Sequence, residues 1–519
     1  MKTTAIIKSI GLSIVMVGTA LSFQGCSDYL EVEPNHIAGE EQQWNTLEDT
    51  RSALMGVYGL MRSALAENNT AWVAGELRLG DFTSTTRQDL KQIIDNDLRL
   101  NNSLVNSVAD WNRFYRVVNA ASVFIEKAPL IGDKDMSYSK DNLKYDVAQA
   151  RALRALAYFY MVKMWGDVPL IVSSFDNGAF PSVPRTDKDE ILSFVTTELK
   201  ASAEVLPLQY GSSNNQYYRQ EPSYWQGKLL NRLSVYAILS QVAAWRGNYA
   251  DVESYTSYIM ANARQIGLDA DYYATVDRII SPKGLFSGTS SESSAYRLVA
   301  FNFLHSAGES TQSGHFEMWT LASPYIPKSK PDLYVGKDNL SEIYTDPSDL
   351  RYGIDPETES YRAISYFDMF SAYPIFKKIN VVQDGNNENG NFAVFGSSIL
   401  LSRMEDVVLM RCEALAMLNK PAECLALLNE MRTKRGLSML SYKKHLNSDI
   451  KALVNEVFAE RRREFIGEGY RWFDRIRRQK LLGDDIEMQR LIDTDGVYWP
   501  VSTEVMKNNL TITQNPYWN

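Results

Sequence analysis

Residues 459–480, AERRREFIGEGYRWFDRIRRQK, combine seven arginines and a lysine with several aromatic rings. Arginine pairs with phosphate and aromatic rings stack on bases, so this composition would suit nucleic-acid binding. The charge of the whole chain opposes that function, because 54 Lys and Arg against 63 Asp and Glu give a net charge of −9. Glu460, Glu464 and Glu468 also recur every four residues, a spacing that allows ion pairs along a helix. We therefore expect this segment to hold the fold together.

Catalytic chemistry has little support in the sequence. The chain contains no HExxH, GxSxG or P-loop motif, and its histidines are scattered at positions 36, 305, 315 and 445. His305 and His315 share one loop-rich stretch, but two ligands alone make a poor zinc site. Acidic residues are numerous enough to include the carboxylate pair of a glycosidase, so an enzyme stays open as an alternative. The sequence predicts no catalytic residue, no metal site and no cofactor.

One short run has the composition of a calcium loop. Residues 384–391, DGNNENGN, place Asp384, Asn386 and Glu388 at alternating positions. A calcium loop also needs glycine at its sixth position and an acidic residue at its twelfth, and both are missing here. We expect an ordinary turn.

The amino terminus has the pattern of an export signal. Lys2 and Lys8 precede an apolar stretch at residues 10–23, which is too short to span a membrane as a mature helix. Gly25 and Cys26 follow it, and a cysteine after a small residue is the acceptor of a diacylglyceryl thioether in bacterial lipoproteins. The sequence predicts a signal peptide at residues 1–25 and lipidation of Cys26. Phe23 replaces the usual leucine, and an ordinary signal cleaved at a nearby small residue is the alternative.

The other two cysteines, Cys412 and Cys424, fall on adjacent predicted helices and are about four residues out of register across the turn. A disulfide requires Cα atoms closer than about 7 Å, so we favour two buried free thiols over a bridge.

Helical periodicity dominates the first half of the chain after a tether at residues 26–42. The first helix is predicted to begin at an Asn45 or Thr46 cap. Its apolar stripe consists of Leu47, Leu54, Val57, Tyr58 and Met61. Similar stripes follow one another with short loops, so the sequence predicts a mainly α protein with a helical N-terminal part at residues 43–265.

Two stretches, at residues 235–259 and 408–432, are each predicted to form helix, short turn, helix. Small residues flank both turns, Ala244 and Ala250 in the first and Ala416 and Ala422 in the second. This pattern is typical of tetratricopeptide hairpins, which stack to cover their apolar faces. A generic helical hairpin is the alternative.

Residues 266–394 differ in composition, because glycine, serine, proline and aromatic residues increase and helical stripes fade. We predict an irregular, loop-rich subdomain inserted into a tetratricopeptide-like helical superhelix, which resumes in a C-terminal part at residues 395–519. Loops held by a rigid scaffold are the usual place for binding.

Taken together, six segments of the chain resemble the SusD/RagB family of outer-membrane glycan-binding lipoproteins. In chain order they are CSDYLEVEP, DWNRFYRVVNAASVFI, ARALRALAYFYMVKMWGDVPLI, RMEDVVLMRCEALAMLNKPAECLALLNEMRTKRGL, EVFAERRREFIGEGYRWFDRIRR and YWPVSTEVMKNNLTITQNPYWN. The third segment is the most specific, and the fourth departs from the family where Arg411 and Cys412 precede Glu413. The resemblance covers nearly the whole mature chain.

The resemblance implies a binding protein, not an enzyme, that captures oligosaccharide and delivers it to a SusC-like TonB-dependent transporter. It also implies an outer-membrane protein, lipid-anchored and facing the cell exterior. Asp28, Glu31 and Glu33 resemble the signal that directs such lipoproteins outward; a plain solvated tether is the alternative. A lipoprotein glycosidase and a helical protein-interaction scaffold are the rival functions.

Sugars stack their C–H faces on aromatic rings and bond polar groups through their hydroxyls. Two segments offer both, the loop at residues 67–87 and the insert, and they meet on one face in similar proteins. The candidate ligand-binding residues are Trp72, Arg78, Asp81, Tyr296, Asn302, Trp319 and Tyr325. Each ring has ordinary core packing as its alternative role. We expect Trp319→Ala or Trp72→Ala to lower glycan affinity by about 1–3 kcal/mol with little effect on thermal stability.

Overall fold

The computed structural model describes residues 44–175, 181–268, 271–288, 294–311, 313–355, 358–384 and 393–519. The predicted signal peptide, Cys26 with its tether, and all but the first residue of the 384–391 run lie outside these residues. Helices dominate the architecture, as predicted.

The α-helices are α1 Leu47–Ala66, α2 Thr70–Trp72, α3 Gln88–Ile94, α4 Ser103–Val108, α5 Asn112–Lys127, α6 Lys140–Trp165, α7 Lys188–Val205, α8 Pro222–Trp225, α9 Arg232–Trp245, α10 Tyr249–Asn262, α11 Val276–Ile280, α12 Glu317–Thr320, α13 Lys337–Ile343, α14 Met404–Met417, α15 Pro421–Lys434, α16 Tyr442–Leu446, α17 Ile450–Phe465, α18 Arg471–Leu482, α19 Ile486–Asp493 and α20 Thr503–Asn508. A π-helical turn, Val73–Leu77, continues α2. None of the described helices is both long and apolar enough to cross a lipid bilayer.

Helix α1 begins where the sequence predicts. The Thr46 side chain accepts a hydrogen bond from the backbone N–H of Asp49, and the Asp49 carboxylate accepts one from the backbone N–H of Thr46, which forms a capping box. All five residues of the predicted apolar stripe are buried. The predicted cap and core face of α1 are therefore confirmed.

Helix α6 lies at the centre of the N-terminal part, in contact with both α5 and α7. A Ser139 cap begins it, and Gly166 ends it at a φ of 72°, a conformation that glycine adopts without strain. The helix is buried on most sides from Asp146 onward, and Trp165 is fully enclosed. Helices α1, α5, α7 and α9 therefore pack around α6.

Both predicted helical hairpins are present, α9 with α10 and α14 with α15, and α10 packs on α14. In the first turn Gly247 has a φ of 76°, and in the second Asn419 has a φ of 57°. Ala244 and Ala416 are buried as expected of close helix contacts, whereas Ala250 and Ala422 are exposed. Cys412 and Cys424 are buried free thiols, as predicted.

The insert contains little regular structure. Its short helices are α11, α12 and α13, and most of its strands have two or three residues. The strands are β1 Arg297–Phe301, β2 Ile354–Asp355, β3 Ser360–Tyr361, β4 Phe367–Asp368, β5 Ile375–Phe376, β6 Val382–Asp384, β7 Ala393–Phe395 and β8 Ile399–Arg403. They form two-stranded antiparallel pairs, β1 with β8, β2 with β3, β4 with β5 and β6 with β7. The β1–β8 pair joins the insert to the strand that leads into α14. The boundaries at residues 265 and 394 stay a prediction.

The arginine-rich segment forms α17, α18 and the turn between them, and it carries a buried network of ion pairs. Glu464 is 2.8 Å from the Arg435 Nε and 3.0 Å from both Arg351 and Arg403. Burial works against the charged carboxylate, but the arginines, Arg435 foremost, hold the pKa of Glu464 well below its ordinary value. Arg461 pairs with two further carboxylates. The segment holds the fold together, as expected.

Candidate functional site

The two segments proposed to form the binding face do contact each other. Trp72 stacks on Phe316 of the insert, with ring centroids 5.9 Å apart and planes 8° from parallel. Farther along the loop, Thr83 and Tyr334 exchange two backbone hydrogen bonds of 2.8 and 3.1 Å. The loop after α1 therefore packs along the insert.

Three of the predicted rings were chosen as exposed loop residues, but the structure buries them. Trp72, Trp319 and Tyr296 are each only 3% exposed, so they are core residues and not rings presented to solvent. Trp72 packs in an aromatic cluster with Phe316 and Phe82. Loop-like composition was a misleading signal, because a loop packed between two subdomains has the same composition as an exposed one.

Arg78 and Asp81 are also buried, and both have protein partners. The Arg78 guanidinium donates to the backbone oxygens of Val497 and Gly496 at 2.6 and 2.7 Å, and lies 4.2 Å above the Trp472 ring. These contacts tie the N-terminal loop to the C-terminal part of the chain. Arg78 is fully buried and engaged by these partners, so a role in ligand binding stays a prediction that these contacts do not favour.

Asp81 pairs with Arg462 and Arg471 of the arginine-rich segment. Burial acts to raise the pKa of Asp81, but these arginines and Arg475 lower it overall. Asp81 is 4% exposed and paired with these arginines, so its role as a ligand contact stays a prediction that its surroundings do not favour.

Asn302 and Tyr325 are partly buried and have their polar atoms engaged. The Asn302 amide accepts hydrogen bonds from Arg297 and Ser398 at 2.9 and 2.8 Å and donates to the Gly227 carbonyl at 3.1 Å. The Tyr325 hydroxyl donates to Asp368 at 3.0 Å. Asn302 therefore positions β1, and of the seven predicted residues Tyr325 keeps a half-exposed ring.

A different set of side chains reaches solvent where the loop meets the insert. We call this surface the seam. It consists of Thr85, Thr86, Arg87, Lys328, Asp332, Tyr334 and Tyr373, all exposed or half-buried. The Tyr334 and Tyr373 rings are 4.8 Å apart at 64°. The backbone bridge between Thr83 and Tyr334 runs the loop along the insert, and Arg87 reaches Asp332, two residues before Tyr334.

Charged groups on the seam are held in place by one another. The Arg87 guanidinium is 2.5 Å from Asp89, 4.0 Å from Asp332 and 5.8 Å from the centre of the Trp319 ring. Its hydrogen bond to Asp89 lowers the pKa of that carboxyl. Lys328 lies 2.7 Å from Asp332 on the other side. Half-exposed rings beside oriented donors and acceptors suit a polyhydroxylated ligand.

A serine, a histidine and a glutamate also meet in the insert, which bears on the enzyme alternative. His315 Nδ1 is 3.2 Å from the Ser397 Oγ, but that hydroxyl donates to Glu317 Oε2 at 2.7 Å. A nucleophilic serine needs the histidine as its base and the acid behind the histidine, and here the serine lies between them. All three side chains are fully buried. This cluster is structural.

The pKa values of the cluster agree with that role. Burial lowers the pKa of His315 to about 4 and raises that of Glu317 to about 7. The histidine is therefore neutral at pH 7. Among the described residues, no group of three or more His, Cys, Asp or Glu side chains is arranged to hold a metal ion.

Sequence reasoning missed Arg87, Tyr334 and Tyr373. The only local signal was the polar run TSTTR at residues 83–87. Tyr334 and Tyr373 are 39 positions apart, and nothing in the residues around them predicts that their rings meet.

Comparison with known proteins finds solved structures with the same fold and two family models that match this chain. A family model described as "SusD family" matches residues 348–518, and one described as "Starch-binding associating with outer membrane" matches residues 28–242. The crystal structure of a SusD superfamily protein from Bacteroides thetaiotaomicron is 47% identical, with a TM-score of 0.84, over 92% of this chain and 100% of that one.

Two further relatives extend the comparison. SusD-like protein P38 from Formosa agariphila is 24% identical over 98% of this chain and 99% of its own length. The structure of a protein described as a laminarin-binding SusD-like protein is 20% identical, with a TM-score of 0.66, over 91% of this chain and 100% of that one. This last likeness is one of fold. On the near-complete match at 47% identity, supported by the two family models, the chain belongs to the SusD/RagB family.

Proposed function

We propose that this chain is a cell-surface lipoprotein that binds oligosaccharides on the seam and passes them to a SusC-like TonB-dependent transporter for uptake. The observation that carries the proposal is the half-exposed Tyr334–Tyr373 ring pair, two residues along the chain from Asp332 and its ion pair with Arg87, on a fold of the SusD family. The rings would stack on sugar faces and the charged groups would bond hydroxyls.

Three observations favour glycan binding over the two rival functions, catalysis and a protein-interaction scaffold. The Ser397–His315–Glu317 cluster is closed to substrate, and its hydrogen bonds run in the wrong order for a nucleophile. One matching family model is described as "Starch-binding", and one protein of the same fold is described as "Laminarin binding", and both descriptions name glycan ligands. The aromatic and charged seam also has no role in a protein-interaction scaffold that uses the helical hairpins alone.

Attachment to the outer membrane, facing the exterior, is part of the proposal. It is supported by the signal pattern that ends at Cys26 and by the family description "associating with outer membrane". We expect Cys26→Ala to release the protein from membranes. Acyl labelling tests the anchor, and protease treatment of intact cells tests the orientation. An unlabelled protein that still sediments with membranes would contradict the anchor.

The seam is tested by calorimetry of the purified protein against a panel of plant and host glycans. For a glycan that binds, we expect Tyr334→Ala and Tyr373→Ala each to weaken affinity by about 1–3 kcal/mol, the scale of a lost stacked ring at a binding hot spot. Tyr258→Ala is the matched control, because this half-exposed tyrosine lies on α10 and pairs with another tyrosine ring. If all three variants bind the glycan with wild-type affinity, the glycan does not bind on the seam.

The partnership has its own test. Purification from native membranes in mild detergent should recover this chain with a large β-barrel protein. Repeated recovery as a lone monomer would contradict the transporter, while leaving glycan binding on the seam intact.

A further inference from the structure

The arginine-rich segment also forms a cleft of about 370 Å³ between α17 and α18. Its charged lining residues are Arg461, Arg462, Arg471, Arg475 and Arg478, with Asp474 and Asp485. Arg461 and Asp474 are buried, whereas the other four arginines are half-buried and reach solvent. The arginines of the buried network around Glu464 do not line this cleft, so its arginines need an explanation of their own.

Positive charge is in excess on one side of the cleft. Arg462 and Arg471 both pair with Asp81, and Arg475 is close enough to lower the pKa of the same carboxyl. Three guanidinium groups therefore share one buried carboxylate. Asp485 is 3.3 Å from Arg475 and compensates a second charge. One positive charge on this side is left without a counterion among the groups that surround it.

Arg471 has the least complete set of partners. Its Nε lies 3.1 Å from the Asp81 carboxylate but does not have the geometry of a hydrogen bond. Its two terminal nitrogens donate to no group within the ranges that the structure describes. Arg462, by contrast, donates to both Asp81 and Asn339. Four of the five N–H groups of a guanidinium are on the terminal nitrogens, so most of the donors of Arg471 are available to a ligand in the cleft.

The charge of Arg471 is poorly stabilised by the protein. Burial is the largest influence and lowers the pKa of Arg471, Asp81 raises it, and Arg462 and Arg475 lower it further, so the pKa falls below its ordinary value. The nearby Glu76 carboxyl gives little compensation, because its pKa of about 8 leaves it mostly protonated at pH 7. An anion in the cleft would supply the missing negative charge.

The start of α18 adds to the positive potential. Arg471 is the first residue of this 12-residue helix, and Tyr470 before it provides no side-chain cap. The first N–H groups of a helix carry a partial positive charge, which stabilises anions and disfavours a cation such as arginine. An anion bound beside Arg471 would compensate both the side chain and the end of the helix.

We propose that this cleft binds one tetrahedral oxyanion, a sulfate or phosphate group that is either free in solution or carried on a sugar. Arg471 donates to it through the two terminal nitrogens, and Arg462 and Arg475 flank it from the two helices. A tetrahedral group presents oxygens in several directions and accepts from guanidinium groups on both helices, whereas a planar carboxylate matches one guanidinium fork. The cleft is larger than the ion alone and leaves room for a sugar ring. The site does not use the seam, so either proposal can fail without the other.

The test is calorimetry of the purified protein at pH 7 and low, constant ionic strength with inorganic sulfate, inorganic phosphate and acetate. We expect saturable binding of sulfate and phosphate that is roughly tenfold tighter than that of acetate, the scale of one additional hydrogen bond to a charged group. Arg471→Gln should weaken sulfate binding by about tenfold or more. Thermal melts of the same samples show whether the variant is folded.

Glucose 6-sulfate and glucose distinguish the two sources of the group. If the ester binds at least as tightly as inorganic sulfate and glucose does not compete, the group is carried on a sugar. If inorganic sulfate alone binds, the ligand is the free ion. Either result supports the oxyanion site.

Two further variants control for other effects. Arg475→Gln leaves Arg471 in place and should also weaken sulfate binding, so the proposal stays testable if Arg471→Gln does not fold. Arg99→Gln removes a surface guanidinium that pairs with Asp97 and does not line the cleft, and it should bind sulfate as wild type does. The proposal is wrong if neither oxyanion binds saturably, if acetate binds as tightly, if folded Arg471→Gln or Arg475→Gln keeps wild-type affinity, or if Arg99→Gln loses as much.

Discussion

The ion-pair network of α17 and α18 and the seam are built from the same residue types and have opposite roles. In the network, Arg403 lies 4.6 Å above the Phe465 ring and pairs with Glu405 and Glu464, all fully buried. On the seam, Arg87 lies 5.8 Å from the Trp319 ring, but its guanidinium reaches solvent. Arginine beside an aromatic ring therefore says little about function until burial and partners are known.

The largest expected effect comes from breaking the network. Glu464→Gln removes a carboxylate shared by three buried arginines, and breaking a buried pair costs about 3–5 kcal/mol. We expect a loss of unfolding free energy at the upper end of that range, measured by urea denaturation. Glu487→Gln, at an exposed ion pair with Arg490, makes the same chemical change and should leave the midpoint where it is. Similar midpoints for both variants would contradict a stabilising network.

Trp72→Ala tests the difference between a buried ring in the loop after α1 and a half-exposed ring on the seam. Because the ring is buried against Phe316, we expect a loss of about 4 kcal/mol in unfolding free energy, as for other buried tryptophans. This reverses the sequence-based expectation of little change in thermal stability. Tyr334→Ala, on the exposed side, is the control and should lose far less. The comparison fails if Trp72→Ala is as stable as the Tyr334 variant.

Glu76 links the two regions and should make stability depend on pH. Its carboxyl accepts hydrogen bonds from the backbone N–H groups of Gly467 and Gly469, in the turn between α17 and α18, at 2.8 and 2.9 Å. Burial raises the pKa of Glu76 to about 8 from an ordinary value of 4.5. Between these pH values the folded state holds a proton that the unfolded state has released. This contribution to stability is complete below pH 4.5 and is lost as pH rises to 8.

Glu76→Gln cannot titrate, so the stability of this variant relative to wild type should rise by about 3 kcal/mol from pH 5 to pH 8. Both proteins contain every other titrating group, which cancels in the difference. Urea denaturation across that pH range measures it. Any hydrogen bond lost in the variant lowers its unfolding free energy by the same amount at every pH. If the unfolding free energies of the two proteins instead change with pH in parallel, Glu76 is already ionised in the folded state and the prediction is wrong.

The smallest effect is expected at Arg87. Its ion pair with Asp89 is partly exposed, so Arg87→Gln should change unfolding free energy by less than about 1 kcal/mol. Glycan binding should nevertheless weaken, and calorimetry beside thermal melts separates the two effects. If Arg87→Gln has a much lower melting temperature than wild type, the role of Arg87 is structural and the prediction is wrong.

Structural features that depend on residues only a few positions apart could be predicted from the sequence. The Thr46 cap and the stripe of α1 appear where the sequence places them, because capping and burial of one helix face depend on residues within a few positions. The two helical hairpins and the free thiols on the second follow in the same way. The candidate site was predicted less well, since Trp72, Trp319 and Tyr296 were selected as loop rings and are core residues.

By itself the sequence determined the helical scaffold and the structural role of the arginine-rich segment, which depend on local spacing and on charges that can be paired along one helix. The resemblance of six segments to the SusD/RagB family also indicated the family, while the boundaries of the insert stay a prediction. Only the tertiary structure decided which rings and charges reach solvent. Arg87 lies 4.0 Å from Asp332, two residues before Tyr334, because the loop after α1 pairs with the insert at Thr83 and Tyr334, a contact between residues 251 positions apart. Burial of a side chain depends on such distant contacts, which residue type and local spacing do not encode.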